Sequence, residues 1–175
     1  MSVATRTPPS GHERFFGLEE IIVSKTDRQG RIMYANDVFL RVSGYEEEDL
    51  RGAPHSIIRH PDMPRAVFKL LWDSVESGVE IFAYVNNLAR SGEHYWVLAH
   101  VTPSFSNDGQ IVGFHSNRRC PERSAIEKIA PIYDELRDIE RSFTDRKDGL
   151  VASAARLEGM LAAAGMSYHE WVWTL

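Results

Sequence analysis

Cysteine is almost absent from this chain of 175 residues: Cys120 stands alone, so no internal disulfide is possible and a reducing compartment suits the sequence. Long hydrophobic runs are missing as well, since none approaches the ~18 residues of a spanning helix. Direct membrane insertion is therefore not expected. The opening Met-Ser-Val-Ala-Thr-Arg-Thr-Pro-Pro-Ser-Gly has no apolar stretch of the secretory kind, which makes the cytoplasm the expected location. Charge of either sign is never massed: the net charge is −5, and no block of like charge exceeds a few residues. Nucleic acid needs a basic face and finds none. The run Glu46-Glu47-Glu48-Asp49 reads as the solvated start of a helix, favoured by the helix dipole. Catalytic signatures are equally scarce, with no Gly-x-Ser-x-Gly elbow, no P-loop and no Cys/His metal spacing. His55 and His60 are five apart in a Pro-containing stretch, not the i,i+4 pair of a zinc helix. An enzyme is not expected.

What is present is a chain long enough to bury a core and patterned for mixed structure. A polar, Pro/Gly-rich arm runs to about Gly11. Strands follow over Glu20–Thr26 and Arg31–Ala35 around the turn Asp27-Arg28-Gln29-Gly30, and Asn36 caps a short helix that stops at Gly44. Beyond Pro64, the positions Val67, Phe68, Leu71, Trp72 and Val75 recur at three- and four-residue spacing, the mark of one helix face. Three further strands, Ile81–Leu88, His94–Pro103 and Gln110–Arg118, are separated by Gly-containing turns and read as an antiparallel meander. The order implies an α+β fold with helices on one face of an antiparallel sheet, and a small ligand in the cleft between them.

From Ser124 the composition is helical. Ile129, Ile132, Leu136, Ile139 and Phe143 form a short seam that suits packing on the domain or in a dimer equally. A second helix spans about Leu150–Ala164. Ser167 and Glu170 have capping-box spacing ahead of Trp171 and Trp173, which should dock on something.

The most informative segment is Pro-His-Ser-Ile-Ile-Arg-His-Pro-Asp-Met-Pro at 54–64. With Tyr-Ala-Asn-Asp-Val-Phe (34–39), Val-Ser-Gly-Tyr (42–45) and Ser-Gly-Glu-His-Tyr-Trp-Val (91–97), it resembles the PAS sensor domains. More narrowly it resembles the FAD-binding PAS domain of bacterial aerotaxis receptors. The likeness covers roughly Ile22–Arg119. It implies a PAS fold, with a five-stranded antiparallel sheet and short helices on one face. The implied division is an arm or cap at 1–19, a sensor domain at 20–120 and a helical extension at 121–175. It also implies FAD held without a covalent bond, whose redox state is the signal, and cofactor contacts from Asn36, His55, Arg59, His60, Asp62, Trp72 and Asn87. The chain departs from the pattern at Asn86-Asn87-Leu88-Ala89-Arg90, where relatives often carry a basic stretch. Such partners as a chemoreceptor, a histidine kinase or a cyclic-nucleotide enzyme are implied, as is a homodimer. Ending at Leu175 without a span or kinase, the chain reads as a stand-alone sensor or a piece of something longer.

Residue chemistry is compatible with a flavin. A side-chain amide both donates and accepts, so Asn36 and Asn87 suit the pyrimidine edge of an isoalloxazine. Trp72 offers a flat face. Arg59 and the imidazoles of His55 and His60 suit phosphates or a charged ring. Blander roles stand beside these: Asn36 as a helix cap, Asp62 as the cap of the helix beginning near Pro64, Trp72 as core, and His94, His100 and His115 as ordinary strand residues. Haem is the alternative cofactor, with His55, His60 or His100 as axial ligand. A ligand-free interaction module is the other alternative. Light sensing through a flavin–cysteine adduct needs an Asn-Cys-Arg element before the long helix, and the sequence has none.

Overall fold

The computed structural model describes residues 7–175. Two strands come first, β1 (Ile22–Asp27) and β2 (Ile32–Ala35), followed by α1 (Asp37–Ser43), α2 (Glu47–Leu50) and a 3-10 turn at His55–Ile58. Next are α3 (Arg65–Glu76) and the strands β3 (Ile81–Leu88), β4 (His94–Phe105) and β5 (Ile111–Arg119). The chain closes with α4 (Arg123–Ser142), α5 (Arg146–Ala164), α6 (Tyr168–Trp171) and a 3-10 turn at Val172–Thr174. The five strands form one sheet in the order β2-β1-β5-β4-β3, antiparallel throughout, so the expected α+β class and the hairpin-plus-meander topology are both found.

Strand alternation divides the work of the sheet. Ile22 and Ser24 on β1, Val85 and Asn87 on β3, Ala99 and Val101 on β4, and Phe114, Ser116 and Arg118 on β5 are all buried, on the side carrying α1–α3. Tyr84 and Trp96 belong to the opposite set, which α4 covers: the Tyr133 hydroxyl donates to the Tyr84 carbonyl at 2.7 Å, and its ring stacks on Trp96 at 6.2 Å between centroids. The apolar seam of α4 therefore packs on its own domain, with Ile129 and Leu136 fully buried. Trp171 is half-buried, whereas Trp173 stays 59% exposed while its ring sits 4.7 Å from that of Phe82. Both halves of the expected capping box at Ser167 and Glu170 are formed.

Three expectations about these elements are corrected. Asp62 does not cap α3, because Pro64 occupies the cap position without a side-chain bond. The capping carboxylate is that of Glu140 on α4, which accepts the Ala66 N–H at 2.9 Å and Arg65 Nε at 3.0 Å. Asp62 instead meets Arg141 at 3.0 Å and Arg137 at 3.4 Å. Nor is the whole stretch up to Gly11 a loose arm. The Ser10 N–H reaches the Gly92 carbonyl at 2.8 Å, and His12 and Arg14 exchange backbone bonds with His94 at 2.9 and 2.7 Å. The first six residues of that arm lie outside the described ones. The second C-terminal helix also starts earlier than the composition suggested, because Asp145 accepts the Lys147 N–H at 2.6 Å and caps it.

Helices α4 and α5 approach closely at Gly149: a Cβ there would lie 2.7 Å from the Glu140 carbonyl oxygen. The same turn of α4 thus serves α5 through its backbone and α3 through its carboxylate. Replacing Glu140 by Ala should destabilise the chain by about 3 kcal/mol, since it strips a buried ion pair and uncaps α3. Urea denaturation followed by circular dichroism measures this, and a loss within about 0.5 kcal/mol, the range of ordinary surface substitutions, contradicts it.

Candidate functional site

Between α3, the segment Pro54–Arg59 and the inner face of the sheet lies a cavity of about 390 Å³, inside the ~300–1,000 Å³ of small-molecule sites. Backbone bonds hold its roof. The His55 N–H donates to the Gly30 carbonyl at 2.8 Å, and Arg59 forms an isolated antiparallel bridge with Asn87 on β3. The tip of the β1–β2 hairpin closes one side. Gly30 has φ +73°, and a Cβ there would come within 3.0 Å of the Trp72 ring, so both backbone conformation and space call for glycine. Leu71, Val75, Val101, Phe114 and the Trp72 indole make most of the lining apolar; Trp72 meets Phe114 edge-on at 5.3 Å.

Of the residues singled out by resemblance, His55, Arg59, Trp72 and Asn87 line this cavity. The Arg59 guanidinium lies 3.8 Å above the Phe68 ring. Asn36 lies elsewhere: its Oδ1 accepts the N–H groups of Phe39 and Val23, both at 3.0 Å, and its Nδ2 donates to the Ile21 carbonyl at 2.8 Å, pinning α1 to β1. His60 and Asp62 line a separate, smaller cavity of about 240 Å³ under α4, with Asn86, His94 and Tyr133. There the Asp62 N–H donates to His60 Nδ1 at 3.1 Å, so that nitrogen carries no proton.

Sequence reasoning passed over Ser24, Ser116 and Arg118. Their signal was strand alternation: Phe114, Ser116 and Arg118 share one face of β5, and two of the three are polar where core is expected. Arg118 donates from Nη2 to Ser24 Oγ at 2.7 Å and to His55 Nε2 at 2.5 Å. A guanidinium has no acceptor, so His55 Nε2 is the bare nitrogen and Nδ1 holds the proton. Burial, with the Arg118 charge second, pushes the His55 imidazole down to about 3, and it is neutral at physiological pH.

The polar account of the cavity does not close. Asn87 Nδ2, Ser116 Oγ and Arg118 Nη1 are buried, line the same cavity, and have no hydrogen-bond partner. Each such group costs about 1–3 kcal/mol when left unsatisfied, so the wall presents donors complementary to acceptor atoms. Cys120 is outside the lining, and burial raises its thiol, keeping it protonated. No cluster of three metal-ligating side chains exists among the described residues.

His55 gives the ligand-free fold a distinct acid response. Its folded-state value is depressed, so the unfolded chain binds the extra proton between about 3 and the ordinary 6.5. Stability is therefore full above that window and falls as pH drops through it, by up to about 1.4 kcal/mol per unit. His55→Gln should flatten this dependence in denaturation curves taken across the window; an unchanged slope overturns the assignment.

Comparisons with known proteins agree with this fold. Residues 32–118 match the family profile described as PAS fold. The aerotaxis receptor of Escherichia coli is 39% identical over 115 residues, 66% of this chain and 22% of the receptor. The bacterioopsin transcriptional activator of Halobacterium salinarum is 26% identical over 133 residues, 74% of this chain and 19% of that protein. The chain thus spans about a fifth of the length of these relatives. The light-state structure of the blue-light photoreceptor Aureochrome1 LOV superimposes with a TM-score of 0.56 at 23% identity, over 63% of this chain and 88% of that one. With matched span, sequence identity and fold in agreement, the chain belongs to the PAS domain family.

Proposed function

We propose that this chain is the sensory module of a redox- or oxygen-responsive signalling protein and that it binds FAD non-covalently in the large cavity. The observation that carries the reading is the pairing of an apolar cavity of about 390 Å³ with three buried, unpartnered donors on a single wall. A flavin ring has the complementary make-up, one hydrocarbon end and one edge of carbonyl and imine acceptors. When bound, it supplies reversible uptake of electrons. Asn87, Ser116 and Arg118 hold the polar edge, and Trp72, Leu71 and Phe114 enclose the hydrocarbon end. Arg59, at the same cavity, suits the phosphates of the tail. His55, held neutral, positions Arg118 and adds no second charge. Among the relatives, the aerotaxis receptor is by name a receptor, which supports a sensory role.

Output follows from the connection to α4. Arg118 and Arg119 end β5, α4 begins at Arg123, and α4 then reaches the first turn of α3 through Glu140. A change in charge at the cavity wall therefore has a short covalent and hydrogen-bonded route to the C-terminal helices. In this reading they engage a signalling partner of the chemoreceptor or histidine-kinase kind, in the cytoplasm and as a homodimer. Differential contacts between oxidised and reduced states are what bias the output.

The haem reading has less support. Among the candidate axial ligands only His55 lines the cavity, and its Nε2 is engaged by Arg118 and Ser24. His60 is outside it, and His100 pairs with Glu80 at 2.7 Å. A ligand-free module is disfavoured by the unpartnered donors, which the chain's own atoms leave unsatisfied.

Purified protein should be yellow, with flavin absorbance that bleaches on dithionite, and the pigment released by heat should chromatograph as FAD. Asn87→Leu removes one donor from the wall and should lower flavin affinity about tenfold, equivalent to ~1.4 kcal/mol. A colourless chain that takes up no added FAD, or one showing a Soret band, sinks the proposal.

A further inference from the structure

Arg118 is a cation waiting for an anion. It is only 3% exposed, and its partners are all neutral: Ser24 Oγ, the bare Nε2 of His55, and the Phe39 ring at 5.3 Å from Cζ. No carboxylate lies within ion-pair distance of it among the described residues, and Nη1 has no partner at all. Two carboxylates elsewhere in the molecule have cations beside them. Buried Glu140 has Arg65, while Asp62 has Arg137 and Arg141. Burial lowers Arg118 only to about 10, so it stays charged at neutral pH, while His55 beside it is uncharged. At Arg118 the cavity wall therefore carries a positive charge with no counterion beside it. A buried charge without a partner is among the most destabilising features a fold can contain.

We infer that Arg118, flanked by Ser116 and Asn87, is a positioning residue that recognises negative charge in the cavity. Resting on the flavin reading above, we infer further that it raises the reduction potential of the bound ring. Its fixed charge permits two electrons and a single proton to be taken up in the cavity, leaving one negative charge opposite the guanidinium. Without that charge no cation faces the ring there, and a second proton is needed to offset the second electron. Electrons come from an external donor, which is dithionite in the assay. The role differs from that of Asn87 and Ser116, whose dipoles orient the ligand in either redox state. Arg118 distinguishes the states.

The test compares Arg118→Gln, Arg118→Lys and Arg118→Met, each with and without flavin. In the loaded protein, Arg118→Gln should reduce the preference for the reduced over the oxidised ring at least tenfold. For a two-electron couple this lowers the midpoint potential by about 30 mV. Arg118→Lys, which retains the charge, should restore most of the shift. In protein stripped of ligand, Arg118→Met should melt at an equal or higher temperature than the parent, because it deletes an unpaired buried charge. An unchanged potential in Arg118→Gln together with a lower melting temperature in stripped Arg118→Met would show a structural strut and overturn the inference. If no preparation retains flavin, the flavin reading fails on its own. The stripped-protein melt then decides whether Arg118 awaits an anion: a gain or no change in Arg118→Met supports it, and a loss overturns it.

Discussion

The cavity exists because the chain from Ala53 to Ala66 is strung across the inner face of the sheet instead of packed into it. Its start is held at β2, where the Ile32 N–H meets the Ala53 carbonyl at 2.9 Å. Its middle is held at β3 by the bridge between Arg59 and Asn87, and its end by the Glu140 carboxylate beneath Ala66. Three anchors hold this segment in place, and the contact of Trp72 with Phe114 does not fill the space between α3 and the strands. Interiors elsewhere pack to crystal-like density, so an opening of this volume is an exception the fold maintains by backbone bonds.

Most of the architecture was legible because it is written in local terms. Apolar runs along Ile81–Val85 and Tyr95–Ala99, glycine at the turns, and the three-four spacing of Val67, Leu71 and Val75 are visible in any window of the sequence. Asn36 read as a cap and is one, with its amide bonded only to backbone groups. The misreading at Asp62 has the opposite origin. It stands where a cap is expected, yet the group that caps α3 lies 74 residues downstream, and no local pattern announces it.

The site was legible in half-measure for the same reason. His55, Arg59, Trp72 and Asn87 converge on one cavity, whereas His60 and Asp62, in the same short segment, turn towards α4. The turn at His55–Ile58 rotates consecutive residues onto different surfaces, and a motif gives no sign of that rotation. Arg118 escaped notice because a basic residue near a strand end is ordinarily solvated. Only the register that pairs it with Ile22 and aligns it with Ser116 puts it inside.

The dependence of α3 on Glu140 bears on where this molecule can be divided. Excision after β5 would leave the first turn of α3 with an open Ala66 N–H, strip Arg65 of its counterion, and bare Tyr84 and Trp96 on the far face. The PAS half is thus not autonomous of the helices that follow it. In the function proposed above, a ligand in the cavity and a partner at α4 would load one continuous unit with no hinge between them.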